Sequence, residues 1–155
     1  MPTATKSKLK REPVPIGWKE TIDLPEWGVT NIVAKADTGA KSSALDVRNI
    51  KILPNGRVRF ILAAHRDDES LTQEIEAKIV KEQKVRSSNG QLQRRVKVET
   101  TLKIGRRRKK VTFSLVNRHH MICRVLLGRE ALAGDFVVDS AQKYLHGKRR
   151  KPEIQ

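Results

Sequence analysis

The sequence predicts an all-β fold, a small closed barrel with one short helix near its C-terminal end. Three observations predict it. Apolar residues recur at every second position, as at Val58, Phe60, Leu62 and Ala64 and at Leu92, Val96, Val98, Leu102 and Ile104; period two marks a strand with one buried face. Turn residues punctuate these runs at short intervals, at Pro25-Glu26-Trp27-Gly28, Pro54-Asn55-Gly56 and Ser87-Ser88-Asn89-Gly90. The chain of 155 residues suits one domain, and at 37% hydrophobic but only 4% aromatic content its core must be aliphatic.

Residues 1–12 read as a disordered basic tail, and the domain is expected over 13–146. Trp18, Ile22 and Leu24 share one strand face with a single polar intruder, Glu20. After the Pro25–Gly28 turn, Val29, Ile32, Val33 and Ala34 form a second strand that runs into Asp37. Residues 43–52 are expected to be extended or irregular, and the strand with Val58 and Phe60 follows the Pro54 turn. Ile75, Ala77 and Ile79 alternate again. Leu92 to Ile104 and 111–116 are expected to pair as a long hairpin with Arg106, Arg107, Arg108, Lys109 and Lys110 at its tip. Val125-Leu126-Leu127 is a short strand ending at Gly128. Arg129 to Ala133 makes one or two helical turns stopped by Gly134, and Phe136-Val137-Val138 is the last strand. Residues 147–155 form a second basic tail.

Cys123 is the single cysteine, which rules out an intrachain disulfide and a cysteine-rich metal site. Its apolar neighbourhood marks it as core rather than nucleophile. The N-terminus has no apolar signal segment and no run reaches membrane-spanning length, so a cytoplasmic protein with no membrane contact is expected. The net charge of +16 favours a polyanionic partner: RNA, the ribosome or an acidic peptide, met by the basic run 106–110 and the tails. A solvated hairpin explains the same run without any partner.

The stretch with the most chemistry is Asp37-Thr38-Gly39. A carboxylate at the end of a buried strand needs hydrogen bonds or a shared proton. Thr38 offers a hydroxyl, and Gly39 allows a tight turn that brings N–H groups towards the carboxylate. This is the chemistry of half an aspartic-peptidase site, in which two carboxylates share a proton and activate water. An ordinary Asp-Gly turn is the plainer alternative.

Three motifs in order resemble the retropepsin-like aspartic peptidases. Asp37-Thr38-Gly39-Ala40 is similar to their catalytic turn. Residues 85–93, with Ser87, Ser88, Asn89 and Gly90, stand where that family has its flap. Leu126-Leu127-Gly128-Arg129-Glu130-Ala131-Leu132 is similar to the closing strand and helix. The wider wording resembles a bacterial and archaeal family named ATP-dependent zinc proteases, which often accompany ATP-grasp glutamate ligases. Ile16-Gly17-Trp18-Lys19-Glu20, Ala34 to Ala40, Ser42-Ser43-Ala44-Leu45, Val85-Arg86-Ser87-Ser88 and Asn117-Arg118 carry that likeness. The resemblance covers residues 16–145 and implies an acid-protease barrel. It gives catalytic roles to Asp37, Thr38 and Gly39, a substrate-covering role to residues 87–90, and supporting roles to Ala40, Gly128 and Arg129.

Two departures matter. Viral-type retropepsins follow Asp-Thr-Gly-Ala with an acid that pairs with the closing Arg. Here that position is Lys41, so Arg129 needs another partner. Asp46 stands where many relatives of the bacterial family carry His. The family name implies zinc and ATP, yet no metal or cofactor is expected. There is no HExxH, adjacent His119 and His120 point apart on a strand, and no phosphate-binding Gly-rich loop is present.

Two functions from different classes follow. One is an aspartic peptidase acting on peptide or glutamyl-peptide bonds. Since the chain holds one Asp-Thr-Gly, it implies a homodimer joining two copies of Asp37, with a peptide or polyglutamylated protein as substrate. The other is a non-catalytic basic module on the same fold that binds RNA, the ribosome or an acidic chain.

Overall fold

The structure, a computed structural model, describes residues 12–65, 68–86, 88–117 and 123–147. All of the two tails but Glu12 and Gly147, together with Ser87, His119 and His120, therefore lie outside the described residues.

The described chain is all-β with one short helix. In order it runs β1 (Val14–Leu24), β2 (Val29–Ala36), β3 (Ser43–Leu53), β4 (Arg57–His65), β5 (Asp68–Arg86), β6 (Leu92–Ile104), β7 (Arg107–Val116), β8 (Val125–Leu127), α1 (Arg129–Leu132) and β9 (Phe136–Lys143). Single 3-10 turns at Pro25–Trp27 and Pro54–Gly56 occupy the two proline-led turns expected from sequence. The strands join one sheet in the order β4-β5-β6-β7-β3-β8-β2-β1-β9, and two further pairings, β3–β4 and β1–β6, connect strands that are apart in that order.

Alternation along the strands determines what is buried. Ile22, Leu24, Ile32, Leu45, Phe60, Leu62, Val98, Leu102, Phe113, Val125 and Leu127 are fully enclosed in one core. Aromatics are few, but Trp27 meets Phe60 edge-to-face at 5.6 Å between centroids, which fastens the first turn to β4. Cys123 is buried, as its neighbours suggest.

Several boundaries differ from the sequence reading. Residues 43–52, read as extended or irregular, are extended: β3 is a continuous strand to Leu53 because it pairs with β4, β7 and β8. Its one irregularity is a register shift between Arg48 and Lys51, where Asn49 has φ 54°. β9 continues past Val138 to Lys143 because it lies parallel to β1, a partner far away in sequence.

The basic run is the main correction. It does not form the tip of the β6–β7 hairpin. Ile104 pairs with Arg107, so Gly105 and Arg106 alone make the turn and residues 107–110 lie within β7. Tight two-residue loops match the twist of paired strands, so β7 starts sooner than its apolar residues suggest.

The polar intruder Glu20 is buried, with 1% exposure. Its carboxylate accepts hydrogen bonds from the backbone N–H groups of Gly17 (2.9 Å), Leu145 (2.7 Å) and His146 (3.3 Å). One charged side chain thus ties the segment after β9 to β1. A carboxylate that receives several N–H donors can stay inside where an unpaired one could not.

Candidate active site

The Asp37 turn is built where two parallel strands end together. β2 and β8 pair from Ala34–Val125 to Ala36–Leu127. The next N–H, that of Asp37, continues the ladder by donating to the Leu127 carbonyl at 2.8 Å. Asp37 is thereby held beside Gly128, 91 residues on in the sequence. The turn then closes on itself, with Ala40 N–H donating to the Asp37 carbonyl (3.2 Å) and Gly39 N–H donating to Asp37 Oδ1 (2.9 Å). Asp37 is half-buried, while Thr38 and Gly39 are exposed.

The segment Gly128–Glu130 braces the turn from behind. Gly128 N–H donates to Ser43 Oγ (3.0 Å), Arg129 N–H to the Ala40 carbonyl (2.8 Å) and Glu130 N–H to the Lys41 carbonyl (3.0 Å). With Lys41 in place of the expected acid, the Arg129 guanidinium donates from Nη1 to the Thr38 carbonyl at 3.0 Å. Thr38 therefore contributes its backbone oxygen. Its hydroxyl has no hydrogen-bond partner among the described residues. Asp37, Thr38, Gly39, Ala40, Gly128 and Arg129 come together as the motifs suggested.

Ser88, Asn89 and Gly90 form the exposed turn between β5 and β6. Arg86 Nη1 reaches across it to the Gly90 carbonyl at 3.0 Å, and further down the hairpin Arg94 pairs with Glu82 at 2.6 Å.

The basic run divides by the alternation of β7. Arg107 and Lys109 point to Asp135, at 3.4 and 2.9 Å. Lys109 also donates to the carbonyls of Glu130 (3.3 Å) and Ala133 (3.0 Å) at the end of α1. Burial pushes the Asp135 carboxyl up, but Lys109 and then Arg107 outweigh it and hold it below its ordinary value of 3.8. Lys110 binds Glu26 Oε1 at 2.6 Å. That hydrogen bond, with one from Thr101, holds the Glu26 carboxyl below the ordinary range. Arg106 and Arg108 stay exposed.

Asp46, the position where histidine was expected, is fully buried between two cations. Its oxygens accept from Arg48 Nη1 (2.7 Å) and Arg124 Nη1 (3.0 Å). Among the described residues no three His, Cys, Asp or Glu side chains gather as metal ligands would. The donors a zinc ion would need are therefore not brought together by these residues.

Sequence reasoning missed the anchoring role of Glu20, although a carboxylate on an apolar strand face was the available signal. It also missed a cavity of about 510 Å³ next to the turn, lined by Lys41, Lys81, Lys97 and Lys110. No sequence signal pointed there, since Lys81, Lys97 and Lys110 meet through strand register and Lys41 reaches them from the loop after the turn. Among the described residues no helix is long and apolar enough to cross a membrane.

An all-β chain with one Asp-Thr-Gly turn at a strand end, braced by a Gly-Arg helix, belongs to the retropepsin-like class. The RimB-like family model, described as retropepsin-like aspartic endopeptidase RimB, matches residues 15–149, and the chain belongs to that family. Similar curated proteins bear the name probable alpha-L-glutamate ligase. The one from Shewanella halifaxensis is 29% identical over 143 residues, covering 90% of this chain and 31% of the relative. The one from Shewanella pealeana is 30% identical over the same shares. The chain thus spans about a third of the length of the curated relatives it matches. The crystal structure of a Legionella pneumophila protein of unknown function superposes with a TM-score of 0.72 at 25% identity, covering 87% of this chain and 99% of that one.

Proposed function

We propose that the chain is an aspartic-type peptidase that works as a homodimer, with Asp37 from each copy forming the catalytic pair. The observation that carries this reading is the braced turn. Asp37 is fixed at the backbone by Leu127, its Oδ1 is held by Gly39 N–H, and the turn faces solvent where a second copy can meet it. In such a pair one carboxylate is ionised and the other holds a proton. The ionised one takes a proton from water as the water oxygen bonds to the scissile carbonyl carbon. The protonated one gives its proton to the carbonyl oxygen. The tetrahedral diol then collapses, the C–N bond breaks, and the amine nitrogen leaves with a proton returned from the pair.

The reading includes a closed barrel of the acid-protease type, supported by the β3–β4 and β1–β6 pairings. It gives the 85–93 hairpin the job of covering substrate and places the reaction in the cytoplasm without a metal. The substrate is an acidic or glutamate-tagged peptide. The basic composition supports this, as does the name of the relatives, which implies glutamate addition by those longer proteins.

A second reading keeps the fold and drops the chemistry: a module that holds an acidic chain, RNA or the ribosome. The observation favouring it is that this domain matches only 31% of relatives named as ligases.

The test is cleavage of casein and of a polyglutamyl peptide by the wild type and Asp37→Asn, with sedimentation of both. A dimer whose hydrolysis disappears in Asp37→Asn is expected. A monomer, or hydrolysis unaffected by Asp37→Asn, overturns the peptidase reading.

A further inference from the structure

The cavity beside the Asp37 turn has a definite composition. Its wall runs from Lys41 and Ser42, just after the turn, to Lys81 and Gln83 of β5, Lys97 of β6, Lys110 of β7 and Glu130 of α1. Lys110 is engaged by Glu26. Lys41, Lys81 and Lys97 have no ion-pair partner among the described residues. Lys81 and Lys97 stand directly opposite one another across β5 and β6. Like charges in that position repel and destabilise the sheet unless an anion lies between them. The cavity is therefore a place where the empty protein carries a cost that a negatively charged ligand removes.

Its position links it to the turn. Lys41 lies four residues after Asp37, and its carbonyl accepts the Glu130 N–H at 3.0 Å. One loop thus contributes both the turn and a wall of the cavity.

We propose that this cavity, and not the basic run of β7, is the specificity site of the peptidase centre. Lys41, Lys81 and Lys97 receive side-chain carboxylates of an acidic peptide that extends beyond the cavity towards the Asp37 turn. The inference rests on the peptidase reading above and adds the residues that select the substrate. The basic run is a poor selector, because Arg107 and Lys109 are consumed by Asp135 and Lys110 by Glu26. A peptide fits better than a nucleic acid. No aromatic or arginine side chain lines the cavity to stack a base. The Glu130 carboxylate in the wall would repel an unbroken row of phosphates, whereas spaced carboxylates can avoid it. Lysine ammonium groups act as point charges that accept a carboxylate from many directions.

The experiment measures binding without cleavage. Fluorescence anisotropy of a fluorescein-labelled hexaglutamate peptide is followed on the full chain carrying Asp37→Asn. Replacing Lys41, Lys81 and Lys97 together by Gln should weaken binding at least about tenfold at low salt, and added salt should weaken the parent. Replacing Arg106 and Arg108 by Gln, which lie outside the cavity, should change it by less than about twofold. Circular dichroism checks each variant. If the triple variant does not fold, Lys97→Gln and Lys81→Glu alone should each weaken binding by about twofold or more.

The proposal is overturned if the lysine variants bind within twofold of the parent, or if the Arg106 and Arg108 replacement costs as much. It is also overturned if labelled oligouridylate of equal charge binds more tightly than the peptide through the same lysines. Binding is read apart from hydrolysis, so the two failures separate. A wild type that cleaves nothing refutes the peptidase reading and leaves this site standing. Lysine-independent binding refutes the site and leaves the role of Asp37 standing.

Discussion

Replacing Gly128 by Ala tests whether the Asp37 turn is held by backbone contact. Gly128 has φ −89°, which alanine adopts freely, so the backbone itself imposes no strain. The added Cβ would lie 2.3 Å from the Ser42 carbonyl oxygen, 2.6 Å from the Ser42 carbonyl carbon and 2.9 Å from the Ala40 oxygen. These are backbone atoms of the loop leaving the turn, which must retreat by about 1 Å to restore ordinary contact. Overpacking of this kind costs about 1–3 kcal/mol. The retreat also stretches the bonds from Arg129 to Ala40 and from Gly128 to Ser43, at about 1 kcal/mol each. The expected loss is about 3–5 kcal/mol, read from urea unfolding as a midpoint lowered by about 2 M for an ordinary slope. Hydrogen exchange at the Gly39 and Arg129 amides should quicken beyond the change at β6. Gly134→Ala is the comparison, because its φ of 82° meets no neighbouring atom within 4 Å, so it should lose only about 1 kcal/mol. A Gly128→Ala protein within 1 kcal/mol of the parent, with Gly39 exchange unchanged, would refute the bracing argument.

Glu20→Ala should destabilise by about 3 kcal/mol in urea unfolding, because it leaves the Gly17 and Leu145 N–H groups without their acceptor; a loss below 1 kcal/mol would show that water takes its place. Asp46→Ala should cost about 3–5 kcal/mol, since it strands Arg124 and Arg48 without their buried counter-charge, and calorimetry should show a clear fall in Tm. Asp135→Asn removes a carboxylate whose folded pKa lies below its ordinary value. Its stabilising effect is therefore full above the unfolded pKa and disappears as pH falls through the folded one. The variant should be less stable by about 1–2 kcal/mol at neutral pH and equal to the parent once the pH has fallen below the folded pKa. A pH-independent difference would refute that assignment.

The period-two runs and turn residues were enough to place most strands, because alternation is local and each strand has one face in the core. The Asp37 turn was legible for the same reason: Asp37, Thr38 and Gly39 are neighbours in the chain. Gly128 and Arg129 were recognisable as a motif, but their contact with the turn comes from the parallel pairing of β2 with β8, which no local pattern specifies. The sequence showed a basic run at 106–110 but could not divide it. Once β7 begins at Arg107, alternation sends Arg107 and Lys109 to Asp135 and leaves Arg106 and Arg108 outside. Glu20 looked like a flaw in a strand until the segment after β9 supplied its N–H donors. The lysine cavity was invisible in the sequence. Lys41, Lys81, Lys97 and Lys110 share no spacing; strand register aligns the last three, and the loop after the Asp37 turn brings Lys41 to the same space. Local order along a chain determines which side chains can be buried, whereas long-range pairing determines which charges meet and which are left facing one another.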